Sequence, residues 1–326
     1  MSRSGLRSAA LAVWVAGCGP EQAGKVPPSA SSVSASAPLA TSTSASSSAP
    51  PLALASASTG APAAPTGSAS SAPPSKPGDK RSREVDGAEM VFVPAGEFVF
   101  GSPKDVGDPD ETPQRRITLA AFFIDRLETT RAQFAGCVDS GTCKAPIAED
   151  GAATKACNWP HEDRKDHPIN CVTYQDAVDY CGWAGARLPT EAEWEKAARG
   201  ADGRAYPWGN AAATCELAIV PTPAGLTGCG AKTTGPVGSK PAGASPFGAL
   251  DMSGNVWEWV SDFYVEDYYA KAPATNPKGP AQGAARSLRG GAWEVHDMLH
   301  LRTSNRYRFA PAKRFHALGI RCASDP

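Results

Sequence analysis

Arg187-Leu-Pro-Thr-Glu-Ala-Glu-Trp-Glu195 is the stretch on which the reading of this chain turns. Pro189 disfavours helix at the residue before it, so one segment ends there. Thr190 is a helix N-cap residue, and Glu193, three positions on, completes a capping box. Trp194 then falls where a helix presents a large side chain to a core. These residues form a cap and a core face, and they specify a fold rather than a reaction. Working outward, residues 190–199 are predicted as a helix, and residues 129–138 and 173–185 carry the same periodicity. Met90-Val-Phe-Val-Pro94 and Gly96-Glu-Phe-Val-Phe-Gly101 predict a hairpin around Pro94. Arg116-Ile-Thr-Leu-Ala-Ala-Phe-Phe-Ile-Asp125 alternates as one strand. Beyond Gly200, Gly, Pro and Asn turns separate short strands. The expected class is α+β with much irregular structure.

Composition bounds the partners. The chain has 326 residues and a formal net charge of −1. No basic stripe with interleaved aromatics occurs, so nucleic acid is not an expected partner. Residues 1–18 have a signal-peptide pattern: Arg3 and Arg7 precede the apolar run Ala9-Ala-Leu-Ala-Val-Trp-Val-Ala16, which is too short to span a bilayer. The run ends in Val15-Ala-Gly-Cys18, which resembles the bacterial lipobox, where the cysteine is acylated. The alternative is an ordinary secretory signal with Cys18 incidental. Residues 19–83 are mostly Ser, Ala, Pro, Thr and Gly, with few charges and no aromatic. They cannot bury enough apolar surface to offset ordering entropy, and read as a disordered tether of roughly 45 Å r.m.s. span. Residues 84–326 suffice for one domain with its own core. The expected localisation is the cell envelope, with the domain lipid-anchored to a membrane.

Nine cysteines are an odd number, and an unpaired thiol is out of place in an exported protein. With Cys18 given to a lipid, eight remain for four disulfides. The close pairs Cys137–Cys143, Cys157–Cys171 and Cys215–Cys229 follow from proximity alone. No CxxC occurs, which speaks against a zinc site.

Around the opening stretch stand Tyr206-Pro-Trp-Gly-Asn210, Asp251-Met-Ser-Gly-Asn-Val-Trp-Glu-Trp259, Arg289-Gly-Gly-Ala-Trp293 and Gly319-Ile-Arg-Cys322. In that order they resemble the formylglycine-generating enzyme (sulfatase-modifying factor) family from Met90 to Ala323. The resemblance implies that family's C-type-lectin-like fold and a Cys181–Cys322 disulfide. It also implies a calcium ion held by the carboxylates of Asp251 and Glu258 and the carbonyls of Gly254 and Val256, a donor set that suits a hard cation. The competing reading is a turn without an ion, with Glu258 satisfied by an arginine such as Arg289. The family's second calcium site is expected to be lost, or rebuilt by a Cys215–Cys229 disulfide, because Cys215 to Gly235 offers only Glu216 as an acid and no Asn.

In catalytic members of the family, two cysteines just after the Gly-Gly pair bind copper(I) and oxidise a substrate cysteine. Here no cysteine lies between Gly230 and Arg321, and Ala292 replaces the serine that follows the glycines. Copper(I) selects thiolates, so copper is not an expected cofactor. The same stretch supplies His296 and His300, which as an i, i+4 pair on a helix would share a face and bind a divalent metal. The alternative is two polar side chains in a cleft. The iron-dependent sulfoxide synthases related to the family take their histidines largely from an N-terminal helical domain, in whose place this chain has the tether. The expected function is therefore binding of a peptide or cell-envelope ligand in a groove of Trp257, Trp293, His296, His300 and Arg306. An oxidase using copper or another metal is the alternative.

Overall fold

The structure is a computed structural model that describes residues 76–146 and 153–326. The signal sequence, Cys18 and the tether as far as residue 75 lie outside the described residues. In chain order the strands and helices begin with β1 (Lys80–Ser82), β2 (Glu89–Val93), β3 (Gly96–Phe100), β4 (Arg115–Leu119) and β5 (Phe122–Asp125). Helices α1 (Arg131–Asp139), α2 (Tyr174–Trp183) and α3 (Glu191–Arg199) follow. The chain then forms β6 (Trp257–Phe263), α4 (Tyr268–Lys271), β7 (Arg286–Arg289), β8 (Tyr307–Phe309), β9 (Leu318–Gly319) and β10 (Ala323–Ser324). No described helix is long and apolar enough to cross a membrane. The class is α+β.

All three longer helices start on the same device. Thr130, Thr173 and Thr190 each accept a hydrogen bond from the backbone N–H three residues on, and the side-chain oxygens of Gln133, Asp176 and Glu193 accept one from the cap N–H in turn. Each box satisfies two of the donors that a helix start leaves unpaired, and losing such a cap typically costs ~1 kcal/mol. The helices expected from sequence are thus present within a residue or two.

Strand pairing departs from expectation. β2 and β3 do not form a hairpin. β2 lies between β1 and β5 in a four-stranded antiparallel sheet, β1-β2-β5-β10, whereas β3 pairs with β4. The chain leaves one sheet at Pro94 and enters the other at Gly96, because β3 finds five residue partners in β4. The single strand expected over 116–125 likewise breaks at Ala120-Ala121 into β4 and β5. A third sheet, β8-β7-β6-β9, is antiparallel except for the parallel β6–β9 pair. The domain also begins earlier than residue 84: β1 pairs with β2, and Arg83 makes ion pairs of 2.6 Å with Asp86 and 2.7 Å with Asp125.

Two apolar clusters hold these pieces together. One places Trp194 of α3 against Phe98, Phe100, Ile117 and Val260. The other joins Phe134 and Tyr180 of α1 and α2 to Trp257, Trp259 and Leu288 of the third sheet. Each such side chain contributes roughly 1.5–3 kcal/mol of burial. Four disulfides close as expected: Cys137–Cys143, Cys157–Cys171, Cys181–Cys322 and Cys215–Cys229. The third ties α2 to the segment entering β10 across a sequence separation of 141.

Candidate functional site

The Arg-Gly-Gly turn and the opening motif are one construction. Arg289, at the end of β7, is fully buried and donates to Glu191 at 3.1 Å and to Glu195 at 2.8 Å, both on α3. Arg306 takes the other side of Glu191 through Nε and Nη2 at 2.9 and 3.1 Å. Burial pushes the Glu191 carboxyl up, but Arg306 and Arg289 overcome it and hold it below the ordinary carboxylate range. Gly291 has φ +74°, and a Cβ there would lie 2.5 Å from Leu301. The turn must therefore be glycine for the following segment to fold back. Arg306 is only 3% exposed and is consumed by this network, so it is not a groove residue as the sequence suggested.

Beyond the turn lies a cleft of about 400 Å³ lined by Trp257, His296, His300, Tyr307 and Phe315, among others. Trp257 and Tyr307 stack with ring centroids 5.0 Å apart. His300 tilts against both, at 6.1 and 5.9 Å. Trp293 sits beside the cleft rather than in its wall, buried and in contact with His316 at 5.7 Å. The two histidines do not share a helix face. His296 precedes a short 3-10 turn, Met298–Leu301, that Asp297 caps by accepting from the Leu299 N–H at 2.9 Å. Asp297 in the cap position stops an α-helix from running through both histidines. Among the described residues no three His, Cys, Asp or Glu side chains form a metal cluster.

The Asp251–Glu258 segment is a tight loop entering β6. Asp251, Gly254 and Asn255 all have positive φ, at 57°, 89° and 58°. A Cβ at Gly254 would lie 2.6 Å from the Ile219 carbonyl oxygen. Asp251 accepts from the Gly238 N–H at 2.6 Å through Oδ2, whereas its Oδ1 is buried without a partner. Glu258 accepts from Trp194 Nε1 at 2.6 Å and from Arg321 Nη2 at 2.8 Å. The arginine that meets it is thus Arg321 and not Arg289. Sequence reasoning missed a third acid here. Glu128, fully buried, accepts from Val256 N–H at 3.1 Å and from Asn255 Nδ2 at 2.6 Å. Burial raises its carboxyl well above the ordinary range, and the charges of Asp251 and Glu258 add to that. Burial raises Asp251 as well, with Arg321 the one buried guanidinium beside the three carboxyls. The unpartnered Asp251 Oδ1 is a donor that suits a divalent cation, but both Glu258 oxygens are already engaged by Arg321 and Trp194, so the ligand set expected from sequence is not assembled as a whole. No sequence signal distinguished Glu128 from an ordinary acid before a helix.

The described cysteines, eight in number, are all in disulfides. A sulfatase-modifying factor enzyme 1-like domain matches residues 76–326. The chain belongs to that family. It is 37% identical to the formylglycine-generating enzyme of Streptomyces coelicolor, over 72% of this chain and 89% of the relative. It is 34% identical to the hercynine oxygenase of Mycolicibacterium smegmatis, over 72% of this chain and 61% of that protein. Among solved structures, PvdO from Pseudomonas aeruginosa superposes with a TM-score of 0.65 at 30% identity, over 78% of this chain and all of PvdO. Membership in a family that includes oxidases is therefore shown by fold and sequence together.

Proposed function

We propose that this family member is an exported, lipid-anchored domain that has lost copper-thiolate oxidation and binds a peptide or cell-envelope ligand in the cleft over Trp257. The observation that carries this reading is the cysteine inventory. All eight cysteines from 137 to 322 are oxidised in pairs, and none lies between 230 and 321, where the cleft-lining segment runs. A disulfide sulfur offers no thiolate to copper(I). Retention of an aromatic cleft without those ligands supports binding over oxidation. The test is competition for copper(I) against a chelator: the metal should stay with the chelator, and withdrawal of one equivalent by the protein would sink the reading. Acylation at Cys18 supplies the membrane affinity in this account. Cys18→Ser should therefore move the protein from the membrane fraction to a soluble pool, and a variant that stayed wholly membrane-bound would remove the anchor from the proposal.

The 37% identity to a formylglycine-generating enzyme favours one second reading, a metal-dependent oxidase. His296 and His300 would be its ligands, because imidazole suits copper or iron.

A further inference from the structure

The cleft that the proposed function assigns to the ligand has a composition that narrows the ligand's chemistry. Its wall is aromatic: Trp257 and Tyr307 stack at 5.0 Å, with His300 angled across both. Phe309 and Phe315, 5.9 Å apart, also line it. The remaining lining includes Asp297 and Glu294, the latter already paired with His316 Nε2 at 2.6 Å, and contains no lysine or arginine. Each arginine adjoining the cleft in sequence is turned away from it. Arg306 is locked to Glu191, Arg308 donates to the Tyr264 hydroxyl at 3.1 Å, and Arg314 donates to Asp176 at 2.6 Å.

The rim is unusual too. Tyr307 is 42% exposed, Phe315 37% and the neighbouring Leu299 50%, which together are half of the six large exposed hydrophobics among the described residues. Aromatic faces left open beside carboxylates, with Arg306, Arg308 and Arg314 engaged elsewhere and His316 close by, match a positively charged organic group. A cation within about 6 Å of a ring centroid is attracted by the ring quadrupole, more strongly as it is desolvated.

We infer that the cleft receives an organic cation, an ammonium or a guanidinium, against Tyr307, His300 and Phe315, with Asp297 and the His316-paired Glu294 supplying opposite charge. This inference rests on the cleft being the ligand site. The experiment titrates the full chain, at low salt, with four blocked tripeptides Gly-Xaa-Gly, where Xaa is arginine, lysine, citrulline or norleucine, read by tryptophan fluorescence and calorimetry. The arginine and lysine peptides should bind about tenfold more tightly than their neutral counterparts. Tyr307→Leu, at an exposed position that should not disturb folding, should erase that preference. Equal binding of the charged and neutral peptides would overturn the cation while leaving the ligand cleft standing. Binding by none of the four would overturn both.

Discussion

Arg321 is where the account is most exposed at the scale of a single residue. It is fully buried and donates to Glu258 through Nε and Nη2, to the Asp125 carbonyl at 2.8 Å and to the Leu250 carbonyl at 2.8 Å. It is also the buried cation among Glu128, Asp251 and Glu258. Removing one partner of a buried pair leaves the other charge desolvated, which costs about 3–5 kcal/mol. Arg321→Met should lower urea-denaturation stability by that amount, and adding Glu258→Gln should recover part of it. A loss below about 1 kcal/mol for the single change would contradict the charge assignment. Little of this was legible in the chain. Gly319-Ile-Arg-Cys322 was read for its cysteine, and a Glu–Arg contact across 63 positions has no local signature. Arg289 was one arginine the sequence offered for Glu258, and the two do face each other in register on β6 and β7. In the fold its side chain turns instead to α3.

At the scale of elements, the sequence spoke clearly where the forces are local. Each capping box joins two residues three positions apart; the one read at Thr190 marks a helix start, and Thr130 and Thr173 start theirs in the same way. The misread hairpin is the converse case. Pairing of β2 with β5 and of β3 with β4 is decided by long-range burial, which alternation along one strand cannot report. The loop from Asp251 to Glu258 stands between these extremes. Its positive-φ residues make a turn that composition suggested, but the third carboxylate comes from residue 128. If calcium occupies this loop, it binds the folded state alone and should raise the melting temperature by mass action. Asp251→Asn should abolish the increment, since it removes charge from the oxygen that lacks a partner. Identical melting of extensively chelated and calcium-loaded wild-type protein would retire the site.

For the whole molecule, the opening motif and its companions located the family, the class and the Cys181–Cys322 disulfide, whereas the other three pairs followed from proximity in the chain. The site was only half legible. Trp257, His296 and His300 do line one cleft, whereas Arg306 is spent on Glu191 and the histidines flank a capped turn rather than sharing a helix. Tyr307 and Phe315, which open the cleft to solvent, went unread because an exposed aromatic looks ordinary until its neighbours are placed. The central claim is that this fold persists without the chemistry of its catalytic relatives. It is tested most directly by giving the purified full chain copper(I), oxygen, reductant and a peptide containing Cys-x-Pro-x-Arg, and following the peptide by mass spectrometry. The account predicts that the cysteine survives unchanged. Formation of the aldehyde product, at a rate abolished by a copper chelator, would contradict it.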